Sequence, residues 1–348
     1  MSSITEVARR AGVSIATASR VVSAADYPVS AATRARVLDA AQALDYLPNA
    51  LARGLREAQL PLVGVIVHDI TDPYFAEIVR GVEDAASPAG FLVITCSSER
   101  DAERESSYVR LLRQLRAAVV IFAGSGLDDD TLNAELPRHV AAMRANGTAL
   151  VHLSPHALGE PEVRVDNIGG VASMVKALVA LGHRRIGFVA APSSLYVSRP
   201  RLDGYRLGLA EAGIAYDERL VVTPNDFSDD DGAQAVDQLL AGQAPFTAIL
   251  CASDLLALGA LRRFHEVGVS VPRDLSVAGF DDISVAALTA PSLSTVRVSP
   301  RDLGRRGFEW AGATLAGKAP DPVLMPTTVV MRDSTAEPPR TFLGGHSR

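Results

Sequence analysis

Two groups of side chains in this sequence have the types and spacing to recognise another molecule. The first is the run Ser14-Ile15-Ala16-Thr17-Ala18-Ser19-Arg20. Read as a helix, it turns Ile15, Ala16, Ser19 and Arg20 outward and sends Val13, Ala18 and Val21 inward. Small residues let a helix approach the floor of a DNA major groove, and an arginine fork matches the paired acceptors of guanine. Hydroxyls such as those of Ser14, Thr17 and Ser19 suit phosphates. The second group is scattered through the chain in the stretches His68-Asp69-Ile70-Thr71-Asp72-Pro73-Tyr74-Phe75, Ser198-Arg199-Pro200-Arg201, Ser253-Asp254 and Asp281-Asp282, with Asp166 and Phe227. Flat aromatic faces stack on C–H surfaces, and carboxylates or arginine forks pair with adjacent hydroxyls, so this mixture suits a neutral sugar-like ligand.

Chemistry beyond recognition finds no foothold. His68, His139, His152, His156, His183, His265 and His346 lack metal-ligand spacing, and no serine stands in a nucleophile elbow. Neither GxxxxGK[ST] nor GxGxxG occurs. The expectation is a binding protein rather than an enzyme, with no catalytic residues, no metal and no cofactor. His183, in the stretch GHRRIGF, reads as a structural residue of a helix-to-strand turn.

The elements that must hold the first group are short helices. Ser3 and Glu6 have capping-box spacing ahead of an apolar face of Ile4, Val7, Ala8 and Ala11. Gly12 supplies a turn, Ser14 caps the next helix, and a third runs from Ala31 to Leu44 with Val37, Leu38, Ala41 and Leu44 at helical spacing. Pro48 and Asn49 break the pattern before a short segment, Ala50 to Arg56. The second group falls where strands should end. Apolar runs at 62–67, 91–97, 118–123, 150–154, 185–190, 220–223, 248–252 and 275–279 alternate with helical stretches such as 74–86 and 169–181. That rhythm predicts an α/β body of two consecutive doubly wound, parallel-stranded lobes, and ligands in such folds bind at the carboxyl ends of strands. Asp166, in VDNIGG, is expected at a crossing between the lobes.

Charge divides the chain in the same place. Residues 1–60 carry seven arginines and no lysine against five acids, a net of +2, which leaves −8 on the rest of a chain totalling −6. A mildly basic module on an acidic body suits contact with a polyanion through one end only. Cys96 and Cys251 each follow an apolar run and are expected as buried strand thiols. The N-terminus lacks an apolar leader and no run of eighteen apolar residues occurs, so a cytoplasmic protein with no membrane partner is expected.

The segments ITEVARRAGVSIATASRVVS and TRARVLDAAQALDYLPNALARGLR closely resemble the lactose/galactose-repressor family of bacterial regulators. The resemblance continues through DITDPYFAEIVRGVEDAA, VDNIGG, GHRRIGFV, RLDGYRLGL, ASDLLALGAL, VPRDLSVAGFDD and PSLSTVRVSP, covering roughly residues 3–333. It implies a homodimer on a pseudo-palindromic operator, with a small effector bound between two periplasmic-binding-protein-like lobes. It also makes Pro48–Arg56 a hinge helix that enters the minor groove, with Leu55 as the wedge, Ala52 beside it, and Asn49 and Arg56 as flanking contacts. Gly54 there costs about 0.8–1 kcal/mol relative to Ala in a helix, so the hinge is expected to fold only on DNA. In the cleft, the resemblance puts Tyr74, Phe75, Arg201, Phe227 and Asp281 on effector, with Asp72, Asp166 and Ser253 as secondary contacts. Asp72 and Ser253 stand where Asn is common in the family. The implied division is a headpiece over 1–46, hinge and linker over 47–60, an N-lobe over 61–162 plus 292–322, a C-lobe over 163–291 plus 323–334, and a disordered tail over 335–348. A sugar receptor sharing the two-lobe fold is the alternative, disfavoured by the absent leader and the attached headpiece.

Overall fold

The computed structural model describes residues 3–22, 28–46, 59–127, 135–159, 162–242 and 244–339. Asn49, Ala52, Gly54, Leu55 and Arg56, the hinge of the sequence reading, lie outside the described residues. The chain divides into two compact units.

The N-terminal unit is built on α1 (Ile4–Ala11), α2 (Ile15–Val22) and α3 (Ala31–Ala43). Ser3 and Glu6 form the reciprocal capping box, and Gly12 closes α1 at φ +65°, a backbone that favours glycine. The Ser14 hydroxyl accepts from the Thr17 amide at 3.1 Å and so starts α2. Val7, Ala8, Ala11, Ala18, Val21, Val37, Ala40 and Ala41 make the core. Leu38 differs from expectation: it is 48 % exposed, and Ala40 is buried instead. One residue past Val37 is 100° round the helix, whereas Ala40 and Ala41 return to the same face.

The larger unit holds two lobes. In the N-lobe, β1 (Leu60–Val67), β2 (Leu92–Ser97), β3 (Ala117–Phe122) and β4 (Ala149–His152) form a sheet of order β2-β1-β3-β4, with α4 (Pro73–Ala86), α5 (Ala102–Gln114) and α6 (Leu136–Ala145) between them. β3 is buried at every residue, which is why it reads as an unbroken apolar run rather than an alternating one. A two-stranded parallel pair, β5 (Val163–Val165) with β11 (Val323–Met325), leads into α7 (Asn167–Ala180). The C-lobe then winds through β6 (Ile186–Val189), α8 (Ser198–Glu211), β7 (Val221–Val222), α9 (Asp229–Ala241), β8 (Ala248–Cys251), α10 (Asp254–Glu266), β9 (Ser276–Asp281) and β10 (Ser294–Arg297). After α11 (Pro300–Leu315) and β11, the chain returns as β12 (Thr328–Val330), giving the sheet β12-β10-β9-β8-β6-β7. Only the β10–β12 pair in that sheet is antiparallel among the described pairings.

Two boundaries differ from the sequence reading. The N-lobe segment was expected to begin at 292, yet β10 pairs in register with β9 of the C-lobe, so the return to the N-lobe comes after it, with α11. There α11 packs against α4 so closely that a Cβ on Gly81 would lie 1.9 Å from the Arg301 carbonyl oxygen, and one on Gly304 2.0 Å from that of Ile78. The segment from 335 was expected to be disordered, but its first residues are tied to the sheet. The Ala336 carbonyl accepts from His183 Nε2 at 2.9 Å, and its amide donates to the Ser276 hydroxyl. His183, fully buried, also meets Thr247 Oγ1 at 2.8 Å through Nδ1, the structural role expected of it. Both cysteines are buried free thiols. No helix among the described residues is long and apolar enough to cross a membrane.

Candidate functional site

In the N-terminal unit, α2 presents one polar-rimmed face outward. Ile15 is 50 % exposed, and Ser14, Ala16 and Arg20 are exposed with it, while Ala18 and Val21 are buried. Thr17 and Ser19 are half-buried at the flanks, the Thr17 hydroxyl 2.8 Å from that of Ser14. Ile15, Ala16 and Arg20 face outward as expected from the sequence, whereas Ser19, expected with them, and Val13, expected inside, are half-buried.

In the larger unit, a cavity of about 60 Å³ opens where the ends of β1, β2, β3 and β4 face the ends of β6, β7, β8 and β9. Asp72, Tyr74, Phe75, Arg201, Phe227, Ser253 and Asp281 all line it. Asp72 caps α4, its Oδ1 accepting from the Tyr74 amide at 2.9 Å, and the Pro73 that follows favours the helix start. That cap aims Tyr74 and Phe75 into the cavity, their rings edge to face at 5.2 Å. Ser253 likewise caps α10, accepting from the Leu256 amide.

Arg201 is the hub. It is buried on the first turn of α8, donating from Nε to Asn167 Oδ1 at 2.9 Å and from Nη1 to the Ala252 carbonyl. Its Nη2 reaches Asp281 Oδ1 at 3.5 Å, and its guanidinium lies 4.4 Å from the Phe280 ring and 5.9 Å from that of Phe227. Asp281 ends β9 at φ +115°, an uncommon backbone for a non-glycine residue and a form of strain seen at ligand sites. Burial pushes its carboxyl well above the ordinary carboxylate range, Arg201 opposing and Asp254 and Asp72 adding to the shift. Burial also raises Asp72 and the Tyr74 phenol.

Two expected residues are placed elsewhere. Arg199 is exposed and does not line the cavity, since two residues along a helix are 200° apart and Arg201 takes the inward position. Asp166 stands at the lobe crossing, its amide bonded to the Met325 carbonyl, but its carboxylate caps α7 through the Gly169 amide at 2.9 Å. Its neighbour Asn167 is the one that touches Arg201. The cavity also uses His68, which opens the first strand-end stretch but was not chosen from it, and three residues that the sequence did not single out: Arg100, Ser125 and Ser154. The strand-end rule, applied to β2, β3 and β4 as it was to the others, finds Arg100, Ser125 and Ser154. Arg100 pairs with Asp226 across the cleft at 2.8 Å and lies 5.5 Å from the Phe227 ring.

Buried ionisable groups here give stability an opposed pH dependence. His68 is held down to about 3, first by burial and then by Arg100. Asp254, behind the cavity, is pushed up to about 7 by burial, despite accepting from the Ile283 amide and the Thr295 hydroxyl. A carboxyl raised in the fold binds more protons folded than unfolded, so its contribution falls as pH rises from about 4 to 7. A lowered histidine binds fewer, so its contribution grows as pH rises from about 3 to 6.5. Between pH 4 and 6.5 the two oppose. Asp254→Asn should make the melting temperature climb more steeply with pH than in the parent, and His68→Leu should make it climb less or fall. Calorimetric melts across that range check this; parallel profiles for all three proteins would sink it.

A three-helix unit with an outward recognition-type helix, followed in the chain by a two-lobed body with a polar cleft, defines a helix-turn-helix protein with a ligand-binding domain. Residues 3–49 match the family model described as bacterial regulatory proteins, lacI family, and residues 175–335 match the periplasmic binding protein-like domain. The chain is 35 % identical over 347 residues to the HTH-type transcriptional regulator GalR of Salmonella typhimurium, covering 98 % of both. It superposes on the lac repressor dimer bound to operator and the anti-inducer ONPF with a TM-score of 0.80 at 29 % identity, covering 96 % of this chain and 99 % of that one. The transcriptional regulator CelR in complex with cellobiose gives 0.69 at 31 %, covering 96 % and 100 %. The chain belongs to the lacI family and is a transcriptional regulator.

Proposed function

We propose that this protein is a cytoplasmic repressor whose homodimer grips a pseudo-palindromic operator and releases it when a small, neutral, polyhydroxylated effector fills the cleft. The observation that carries the reading is the cavity itself, with Tyr74, Phe75 and Phe227 as apolar faces against Arg201, Asp281 and Asp72. Arg100 is already paired with Asp226 and Arg201 with Asp281, which suits an uncharged ligand. Relatives with a sugar in place, such as CelR with cellobiose, support the class. On the DNA side, Arg20 and the hydroxyls of α2 are the contacts for guanine and phosphate, and the exposed Ile15 suits a thymine methyl. The hinge contacts Asn49, Ala52, Leu55 and Arg56 complete the proposed DNA set.

Release requires only that effector bind the DNA-incompetent arrangement of the lobes more tightly. A coupling of about 1–3 kcal/mol gives a 5–150-fold change in operator affinity. The test is fluorescence anisotropy on DNA flanking the protein's own gene, repeated with glucose, galactose, ribose and cellobiose. One of these should weaken binding within that range. Specific DNA binding that none of them alters would sink the effector half of the reading, and tighter binding would reverse its sign.

A further inference from the structure

One wall of the cleft holds a buried polar side chain that makes no well-formed hydrogen bond among the described residues. His68, the residue after β1, is only 5 % exposed, lines the cavity, and among the described residues finds a partner in ordinary hydrogen-bond geometry for neither Nδ1 nor Nε2. An unpartnered buried polar group is costly and uncommon, and it calls for a reason. Packing explains the ring's place but not its chemistry. Phe75 meets it edge to face at 5.6 Å, and Gly124 leaves it room, since a Cβ there would lie 2.6 Å from Nε2. Arg100 and His156 are the ionisable groups that act on it, both disfavouring its charged form, and the Ser125 backbone, approached outside ordinary hydrogen-bond geometry, favours that form. Arg100 Nε, in the same wall, is a second buried donor without a partner among the described residues.

We infer that His68 is a specificity-determining residue of the cleft, taking a hydroxyl of the effector from the N-lobe side while Arg201 and Asp281 take others from the C-lobe side. The inference rests on the effector reading of this same cleft. Because burial holds the imidazole neutral, it offers one N–H donor and one lone pair. Hydroxyls both donate and accept, so a polyol can satisfy both nitrogens. A carboxylate answers only the N–H and sets an anion against the lone pair, and an ammonium answers only the lone pair. The ligand class selected at this wall is a neutral polyol in preference to a sugar acid or an amino sugar.

The full-length protein and its His68→Leu and Gly124→Ala variants test this by calorimetric titration with glucose, galactose, ribose, cellobiose and gluconate, and by melting without ligand. For whichever sugar the parent binds, His68→Leu should weaken binding roughly tenfold or more. A monodeoxy analogue of that sugar, already weaker on the parent, should lose nothing further on the variant. Gly124→Ala, which pushes the ring without removing a polar atom, should also weaken binding. The ligand-free melting temperature of His68→Leu should equal or exceed the parent's, because an orphaned polar group has gone. A lowered melting temperature, or gluconate bound as tightly as glucose, overturns the inference. Unchanged sugar affinity in His68→Leu overturns it while leaving the effector reading intact. A parent that binds operator but none of the sugars fails the effector reading instead, and the ligand-free melt then decides His68 alone.

Discussion

Arg201→Met should give a protein that still binds operator but no longer lets go of it. The methionine keeps most of the apolar contact over Phe280 and removes the fork that joins Asn167, the Ala252 carbonyl and Asp281. Three acceptors from three elements then face a thioether, and Asp281 loses the only cation in hydrogen-bond contact with it among the described residues. Breaking a buried pair by removing one partner costs about 3–5 kcal/mol. Asp281 can shed part of that by taking up a proton, since its carboxyl already sits well above the ordinary range. The expected fall in melting temperature is therefore on the order of 10 °C for a domain of this size. Effector affinity should drop more than a hundredfold, because the same fork is the proposed C-lobe contact for ligand hydroxyls. Arg201→Lys should recover some stability through its charge and little affinity, lacking the planar fork. Scanning calorimetry and operator release in the presence of sugar check both halves. Normal release by Arg201→Met would remove Arg201 from the effector site.

What could be read from the sequence followed the reach of each interaction. Caps and faces set by three or four residues were legible: the Ser3–Glu6 box, the Ser14 cap, and the outward turn of Ile15, Ala16 and Arg20. So was the gathering of Tyr74, Phe75, Phe227, Ser253 and Asp281, because parallel sheets bring the carboxyl ends of their strands to one edge. Choices between near neighbours were not. Arg199 and Arg201 cannot both face the cavity, but only the packing of α8 says which does. Asp166 is equally suited to capping and to ligation, and α7 took it.

Pairings across long stretches of chain were invisible for a different reason. The tie between His183 and Ala336 spans 153 residues, so nothing local marks residues 335–337 as ordered. β10 is four residues long, preceded by the loop that holds Pro291, and its register with β9 and β12 assigns it to the C-lobe. His68 was legible as a residue at a strand end, but its significance lies in the well-formed hydrogen bonds its ring lacks among the described residues. No periodicity encodes an absent partner.

Arg20→Ala should be the most damaging single change on the DNA side, and it should act on sequence choice. Arg20 lies on the exposed face of α2, beyond the buried Ala18 and Val21, so its loss leaves the helix and its core in place. A bidentate arginine–guanine contact is worth about 1–3 kcal/mol. A dimer makes it in both half-sites, so operator affinity should fall by about 2–6 kcal/mol, from roughly thirtyfold to more than ten-thousandfold. A phosphate contact would behave differently, weakening all DNA alike and reducing the salt dependence by about one counterion per site. The decisive comparison is therefore Arg20→Lys, which keeps the charge and loses the fork. If Arg20 reads guanine, the lysine variant should hold non-specific DNA as the parent does while its preference for operator collapses. If the lysine variant retains full discrimination, the arginine is an electrostatic anchor, and base reading passes to Ile15, Ala16 and Ser19.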